Sequence, residues 1–308
     1  MTSNLEIFES ELLETLRHTE IPEILQLCLM YQKGPTVIFK ALLPSDEIKL
    51  IKGVSPGGYI PIEFILGDYL YQRARDIPHI VHLETMFMAA RPEFLMKRYP
   101  LLRDPTCINL NTIPNPYTNY VYGVYELCLT NLAKYIGQNY LMINQFIGLC
   151  FQIIVGFYVL EHLGIMHRDI KPQNIVVCEM EQRYDYLIYQ YNGNYWTLDP
   201  NLLGYKYIKI IDLGEAYLLK NVDHCKFFNP DPRHICQFII NLLWKRVIAD
   251  DRTFDNERMF KGLCQRLVEC KDESLMDILL TEEIFGKIRI NIVSQNDNLQ
   301  IRTINLDI

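Results

Sequence analysis

Four polar side chains in two short stretches of the sequence have the chemistry that phosphoryl transfer needs. Asp169 and Lys171 are separated by one residue, Asn174 follows three residues later, and Asp212 ends a separate apolar run. A carboxylate can orient a hydroxyl and accept its proton, while a nearby ammonium can neutralise charge on the moving phosphoryl group. Asn174 and Asp212 offer oxygen ligands of the kind that Mg²⁺ prefers. The two stretches therefore predict a metal-assisted transfer of phosphate.

The sequence around these residues is more specific than the four side chains alone. His-Arg-Asp-Ile-Lys-Pro-Gln-Asn occupies residues 167–174, and an apolar run over 208–211 leads into Asp212-Leu213-Gly214. The first string resembles the catalytic loop of eukaryotic-type protein kinases, and the triplet resembles their metal-binding triplet, with Leu213 in place of the usual Phe. The order Lys-Pro-Gln-Asn resembles the serine/threonine-directed branch. Gly214 is expected to let the chain turn away without a Cβ clash.

The resemblance implies an α+β, bilobal protein-kinase-like fold that binds ATP with Mg²⁺ between its lobes. The small antiparallel β N-lobe would cover residues 21–125 and the mostly helical C-lobe residues 126–308. An acidic amphipathic helix within residues 1–20 is predicted to pack on the N-lobe, and the alternative is a helix that binds a partner. The reaction implied is transfer of the ATP γ-phosphoryl group to Ser or Thr hydroxyls of a protein substrate. The short C-lobe is similar to divergent kinases of large DNA viruses or bacterial effectors.

Three strand-like runs, at residues 24–30, 37–43 and 48–54, predict the start of the N-lobe sheet. Kinases carry a Gly-rich loop at the first turn, but here only Gly34 is present, and this departure puts tight binding of the phosphates by the backbone in doubt. By the order of elements, the third strand should carry the lysine that holds the phosphates. This favours Lys52 over Lys40.

A helix predicted from Pro61 through Arg75 offers two acids that could pair with this lysine. Glu63 has the expected chemistry but lies only one turn into the helix. Asp68 lies deeper, and counting back without a gap from the strand-entry string at residues 77–81 leads to it. Both acids remain candidates for the nucleotide-binding ion pair.

The end of the N-lobe is predicted from turn signals and one further strand. Residues 88–119 include Arg91-Pro92, Asp104-Pro105 and Asn115-Pro116, and are interpreted as an insertion between strands. Tyr120–Tyr125 is then predicted to be a strand. Glu126-Leu127-Cys128 falls where the resemblance places the hinge, so Glu126 and Cys128 are expected to contribute backbone groups that bind adenine.

Two hairpins are predicted in the C-lobe. Residues 184–198 alternate on both sides of Asn192-Gly193, a favoured two-residue turn, and explain an insertion at about 179–206. Its tyrosines either form a docking surface or pair across the strands to hold the ribbon together. A second alternating stretch, residues 286–308, predicts a terminal hairpin.

The segment after Gly214 departs from the kinase pattern, because no Ala-Pro-Glu triplet follows it. Asp231 is the acid that would anchor the backbone of the catalytic loop. Residues 213–230 contain neither Thr nor Ser, so activation by phosphorylation in this segment is not expected. These departures keep two alternatives to an active protein kinase: a pseudokinase that serves as a binding scaffold, and a kinase of a small molecule or lipid.

Composition narrows the class of partner. The formal net charge of −7 and the pI near 5.6 argue against a nucleic acid partner. The nine cysteines show no close Cys-x-x-Cys pair and are interpreted as reduced thiols, and the N-terminus lacks a signal peptide, so a cytoplasmic location is predicted, inside a host cell for a viral or effector protein. Residues 136–160 lack charge and are long enough to span a membrane, but their amides favour a buried core helix.

Overall fold

The structure is a computed structural model in which the chain divides into two compact units. The first unit comprises Met1–Gln72 and His82–Leu127, and the second comprises Arg73–Val81 and Cys128–Ile308. The described residues are 16, 19–55, 60–90, 95, 119–180, 182–219, 232–269, 274–288 and 300–308. Residues 1–15, 17 and 18 of the predicted N-terminal segment, residues 91–118 of the predicted insertion except Leu95, and Asp231 lie outside this set.

The first unit is built on a five-stranded sheet in which every pair of neighbouring strands is antiparallel. The sheet order is β1-β2-β3-β5-β4. The strands are β1 (Gln26–Lys33), β2 (Thr36–Leu42), β3 (Ile48–Val54), β4 (Thr85–Ala90) and β5 (Asn119–Glu126), and helix α1 (Ile62–Ala74) lies between β3 and β4 in the chain. A two-residue turn, Gly34-Pro35, joins β1 to β2, since Lys33 is paired directly with Thr36.

Both faces of this sheet are covered by apolar side chains. Helix α1 contributes Phe64 and Ile65 to a buried cluster with Val121 of β5, and Leu16 joins that cluster. On the opposite face, alternating residues of all five strands form a second core that also includes Leu95. The main members of this second core are Leu27, Leu29, Val37, Phe39, Ala41, Ile51, Phe87, Tyr120, Tyr122 and Val124.

The second unit is built around one long apolar helix. Its helices are α2 (Leu132–Gln138), α3 (Ile143–His162), α4 (Pro232–Trp244), α5 (Phe254–Glu269) and α6 (Leu275–Thr281). Among the described residues, α3 is the one helix that length and composition would allow to cross a membrane, but 83% of its most apolar window is buried inside the protein. Burial of this kind is what the core helix of a globular unit shows.

Short strands of the second unit position the segments that carry the candidate catalytic residues. β6 (Thr130–Asn131), β8 (Ile175–Glu179) and β11 (Lys206–Ile210) form one sheet with β8 in the middle, and β7 (Ile165–Met166) pairs with β12 (Tyr217–Leu218). The predicted strand-entry string at 77–81 forms no strand. Instead, Ile80 makes an isolated parallel bridge to Ile210.

A hairpin occupies the stretch of alternating residues around Asn192-Gly193. β9 (Tyr186–Tyr191) and β10 (Asn194–Leu198) pair antiparallel, and both turn residues have positive φ, as a tight two-residue turn requires. The side chains of Leu187, Tyr189, Trp196 and Leu198 are buried. One face of the hairpin is therefore part of the core of this unit and not a docking surface.

The second arm of the predicted terminal hairpin is a strand, while most of the first arm and the turn lie outside the described residues. β13 (Ile301–Asn305) pairs in parallel with β9, and residues 283–287 form a 3₁₀ helix. Residues 289–299 lie outside the described set. Alternation predicts a strand but does not define its partner, and here the partner is the inserted hairpin.

The expectation that all cysteines are reduced is wrong. Cys128 and Cys178 form a disulfide, because the segment after β5 runs beside β8, where the Leu129 amide donates to the Val177 carbonyl oxygen at 2.9 Å. Three other cysteines are buried free thiols: Cys150, Cys236 and Cys264. Since persistent disulfides are rare in the cytosol, the cytoplasmic location stays a prediction.

Candidate active site

The side chains of the predicted catalytic loop form one hydrogen-bonded cluster. The ammonium of Lys171 lies 2.6 Å from Oδ2 of Asp169, and the Asn174 amide nitrogen donates to the same oxygen at 3.0 Å and to the Asp169 carbonyl oxygen at 2.8 Å. The Asp169 side chain is 38% exposed and that of Lys171 is 47% exposed, whereas Asn174 is buried. The carboxylate of Asp169 and the ammonium of Lys171 are thus accessible to solvent, while the buried amide of Asn174 holds Asp169 in place.

The local backbone explains why these side chains meet. Residues 172–174 form a single 3₁₀ turn, which the proline favours at its first position, and the Asn174 amide donates to the Lys171 carbonyl oxygen at 2.8 Å. Arg168 has a φ of 65°, an uncommon value for a non-glycine residue, and this reverses the chain just before Asp169. The spacing of Asp169, Lys171 and Asn174 in the sequence is therefore sufficient, with this turn, to bring their side chains together.

Two hydrogen bonds join this loop to the chain just before Asp212. The Ile211 amide donates to the Asn174 carbonyl oxygen at 2.9 Å, and Nε2 of His167 donates to the Ile211 carbonyl oxygen at 2.8 Å. The pairing of β7 with β12 joins the residues just before the loop to the residues just after the turn at Asp212. Asp212 is therefore held beside the loop that carries Asp169, although 43 positions separate them in the chain.

His167 is a structural member of this site to which the sequence analysis assigned no role. It is 2% exposed, and its second ring nitrogen, Nδ1, has no hydrogen-bond partner among the described residues. Burial lowers the pKa of His167 below its ordinary value, against the opposing effect of the Ile211 carbonyl and of the two aspartates. Its place two residues before Asp169 in an otherwise recognisable string is the signal that could have identified it.

The backbone at Asp212 corrects the expectation for the triplet. Asp212 itself is in the left-handed region, with φ of 69° and ψ of 71°, and residues 213–215 form a 3₁₀ turn. Gly214 does not have positive φ, and a Cβ there would meet Asp212 Oδ1 at an ordinary 3.6 Å. The chain therefore turns at the aspartate and not at the glycine, and such strain in a non-glycine residue is typical of functional sites.

In the first unit, the structure pairs Lys52 with Glu63. The ammonium lies 2.5 Å from Oε2 of Glu63, and the two side chains are 18% and 9% exposed. Asp68 instead accepts a hydrogen bond from Gln72 on the same helix at 2.8 Å. Burial raises the pKa of the Asp68 carboxyl, against the effect of Gln72.

Lys40 lies on the same face of the sheet as Lys52. Lys40 is paired with Leu50, and Lys52 is paired with Ile38, so that cross-strand register places both ammonium groups on the side that faces helix α1. The third strand thus contributes the lysine of the ion pair. Because both lysines lie on the same face of the sheet, the alternation of side chains alone could not decide between them.

The hinge candidates flank the end of the first unit. Glu126 is the last residue of β5, where it is paired with Lys49, and Cys128 begins the second unit. The Cys128 side chain is engaged in the disulfide with Cys178. The expected adenine contacts would use backbone atoms, so the disulfide leaves that prediction as it was.

The donor set of the second unit fits a hard divalent cation. The Asn174 amide nitrogen is directed at Asp169, which leaves the amide oxygen as the atom that can face a metal. Asp212 adds a carboxylate one residue beyond the Ile211–Asn174 hydrogen bond. Carboxylate and amide oxygens suit Mg²⁺, which takes few protein ligands and otherwise binds water and phosphate oxygens.

Comparison with known proteins finds partial similarity to protein kinases. The chain is 27% identical over 167 residues to the probable serine/threonine-protein kinase fhkB of Dictyostelium discoideum, a match that covers 51% of this chain and 14% of that protein. It is 32% identical over 111 residues to the dual specificity protein kinase YAK1 homolog of Arabidopsis thaliana, covering 29% of this chain and 11% of that protein. Both relatives are kinases by name. No family model matches the chain.

The similarity covers only a small part of each relative. The chain spans 14% and 11% of the length of the two curated relatives. The comparison shows partial similarity to protein kinases, and the activity and substrate of this chain are separate questions.

Proposed function

We propose that this chain is a protein kinase with a bilobal kinase-like fold that transfers the γ-phosphoryl group of ATP, with Mg²⁺, to Ser or Thr hydroxyls of protein substrates. The observation that carries the proposal is the joining of Asp169, Lys171 and Asn174 in one cluster that is hydrogen-bonded to the residue before Asp212. A base, a cation and two metal ligands are the groups that phosphoryl transfer needs. The partial similarity to kinases supports the same reading.

Each residue of the cluster has a distinct role in this proposal. Oδ2 of Asp169 accepts hydrogen bonds from Lys171 and Asn174, so Oδ1 would orient the substrate hydroxyl and accept its proton. Lys171, which is nearly half exposed, would neutralise charge on the transferred group. Asn174 and Asp212 would hold Mg²⁺, which screens the phosphate charges when bound. In the first unit, Lys52 would bind phosphate oxygens while Glu63 holds its ammonium in place.

One observation favours a second candidate, the pseudokinase scaffold. The turn between β1 and β2 has only two residues, Gly34 and Pro35, and proline has no amide hydrogen to donate to a phosphate. A cradle of backbone amides over the nucleotide is therefore missing at this turn. An active enzyme of this type would rely on lysines and metal for phosphate binding, and its affinity for free ATP would be weak without Mg²⁺.

A labelled-ATP assay tests the proposal and separates the alternatives. The protein would be incubated with γ-labelled ATP and MgCl₂, and with a generic basic protein, a mixed phosphoinositide vesicle, or no added acceptor. Transfer to Ser or Thr of the protein is expected. Transfer to the lipid alone would replace the proposed substrate class with a lipid. No transfer to any acceptor, together with Mg²⁺-dependent nucleotide binding, would leave the scaffold.

A further inference from the structure

The strand that leads into Asp212 lies at the edge of its sheet, and side chains satisfy its outer backbone groups. Among the described strands, β11 pairs with β8 alone, and its other side meets the chain at the isolated bridge between Ile80 and Ile210. On its other side, the Ile208 amide donates to Oε1 of Gln152 at 2.9 Å, and Nδ1 of His79 donates to the Ile208 carbonyl oxygen at 3.1 Å. A buried edge strand needs such partners, because unpaired backbone groups are costly away from water.

The backbone around His79 extends the same contact toward the end of β11. The Ile210 amide donates to the His79 carbonyl oxygen at 3.0 Å, and the Val81 amide donates to the Ile210 carbonyl oxygen at 2.8 Å. Helix α3 approaches closely here, since a Cβ on Gly156 would lie 3.1 Å from the His79 carbonyl oxygen. His79 thus fixes the outer edge of β11 at both Ile208 and Ile210.

The inserted hairpin orients His79. The hydroxyl of Tyr189 donates to Nε2 of His79 at 2.7 Å, and the two rings stack with centroids 5.6 Å apart. Both residues are fully buried. Since a carbonyl oxygen can only accept, Nδ1 of His79 carries a proton, and in the neutral ring Nε2 is then the acceptor that the Tyr189 hydroxyl satisfies.

The position of Tyr189 in the hairpin is itself well fixed. Phe151 of α3 packs edge-on against its ring with centroids 4.9 Å apart, and also contacts Trp196 of β10 with centroids 5.7 Å apart. β13 pairs with β9 in a register that places Ile304 beside Tyr189. The tyrosine therefore reaches His79 from a rigid support and not from a loop.

We propose that Tyr189 is a positioning residue for the phosphoryl-transfer site: through His79 it fixes the outer edge of β11 and so the position of Asp212. Tyr189 then acts on the site only through His79 and β11, and the rest of the hairpin holds Tyr189 in place. This inference rests on the proposed function for the role of Asp212. Its structural part, the control of β11 by Tyr189, can be measured without any activity.

The test compares Tyr189→Phe with Tyr195→Phe. The first change removes the hydroxyl that satisfies His79 and keeps the ring; the second makes the same chemical change on the same hairpin, at a tyrosine of β10 that is 37% exposed. Amide hydrogen exchange at Ile210 would be measured relative to Leu263, a buried residue of helix α5 that reports general unfolding. Affinity for a non-hydrolysable ATP analogue would be measured by calorimetry in MgCl₂ and in EDTA.

Tyr189→Phe is expected to lower the protection of Ile210 relative to Leu263 by about fivefold, the effect of losing one hydrogen bond. It should weaken the binding of the analogue in MgCl₂ by a similar factor and leave binding in EDTA unchanged, while Tyr195→Phe changes neither. In the wild-type chain, the ¹⁵N chemical shifts of His79 should show the proton on Nδ1, a result that does not depend on how any variant folds.

Three results would overturn the inference: a His79 proton on Nε2, equal Ile210 protection in the two variants, or an equal loss of affinity with and without Mg²⁺. Failure of the wild-type chain to bind the analogue in MgCl₂ would instead overturn the proposed function. The exchange and nitrogen-shift measurements would then decide by themselves whether Tyr189 positions β11.

Discussion

Lys52→Met removes a positively charged partner of Glu63. Of the changes in the first unit, it is expected to cause the largest loss of stability and of turnover. The Glu63 side chain is 9% exposed, and the Lys52 ammonium lies 2.5 Å from it. Once the lysine is gone, the carboxylate must stay without this ammonium in a poorly hydrated place, take up a proton, or pull helix α1 outward. Each of these outcomes costs free energy and removes the cation proposed to bind the phosphates.

The magnitude follows from the burial of the pair. Removing one partner of a fully buried ion pair costs about 3–5 kcal/mol. Because the Lys52 side chain is still 18% exposed and water reaches it, we expect about 2–3 kcal/mol of unfolding free energy for Lys52→Met. Loss of one positioned cation should lower kcat by roughly 10²–10³-fold. Lys40→Met and Asp68→Asn should change the unfolding free energy by no more than about 0.5 kcal/mol, as surface changes usually do.

The assay is a double-mutant cycle. Lys52→Met, Glu63→Gln and the double variant would be compared by chemical denaturation, and the same proteins by turnover at saturating ATP. We expect a coupling energy of about 1–3 kcal/mol between the two positions, within the range for contacting residues. A coupling energy near zero, or a loss of turnover in Lys40→Met as large as in Lys52→Met, would refute the assignment of this pair.

Three further predictions concern the second unit. Asp212→Ala should abolish the Mg²⁺-dependent part of nucleotide affinity in calorimetry, because the metal loses a carboxylate ligand; unchanged affinity would mean that the triplet is only structural. The lowered pKa of His167 means that the unfolded chain binds a proton at a higher pH than the folded chain does. Its contribution to stability should therefore be complete above the unfolded value of about 6.5 and be lost as the pH falls from there through the lower folded value. A melting temperature whose fall below pH 6.5 is the same in wild type and His167→Gln would contradict this. Gly156→Ala should destabilise the chain by about 1–3 kcal/mol, since its Cβ would lie 3.0 Å from the Ile210 side chain and 3.1 Å from the His79 carbonyl oxygen; an unchanged denaturation midpoint would show that these neighbours can move apart.

The catalytic cluster could be predicted from the sequence because it is local. Asp169 and Asn174 are five positions apart in one loop, so the backbone turn that joins them is encoded within the string itself. The contact with Asp212 was less direct, and the resemblance to kinases supplied it. The structure places that aspartate beside the loop through hydrogen bonds of His167 and Ile211.

The partner of Lys52 could not be predicted, because the sequence of the helix does not show which of its sides faces the sheet. Glu63 and Asp68 are five residues apart, which places their side chains about 140° apart around a helix of 3.6 residues per turn. Residues 63–67 are all buried, so no polar stripe marks the solvent side. Only the rotation of α1 against the sheet decides between the acids, and a single sequence does not contain it.

Contacts between distant segments account for other features that the sequence did not predict. The Cys128–Cys178 disulfide joins residues 50 positions apart, and β13 pairs with a strand more than 100 positions earlier. Alternation and composition identify strands and cysteines but not their partners. The turn at Asp212 was misassigned for a different reason, because glycine is the usual residue with positive φ and here the aspartate adopts it.

The central claim is that Asp169 is the base of a phosphoryl-transfer site, and Asp169→Asn tests it most directly. Incorporation of labelled phosphate from ATP would be compared in wild type, Asp169→Asn and the control Asp250→Asn, which changes an exposed aspartate of a 3₁₀ turn. After all three proteins are shown to melt alike, Asp169→Asn is expected to lose roughly 10²–10⁴-fold in rate, and Asp250→Asn to match wild type. Equal incorporation by wild type and Asp169→Asn would contradict the assignment.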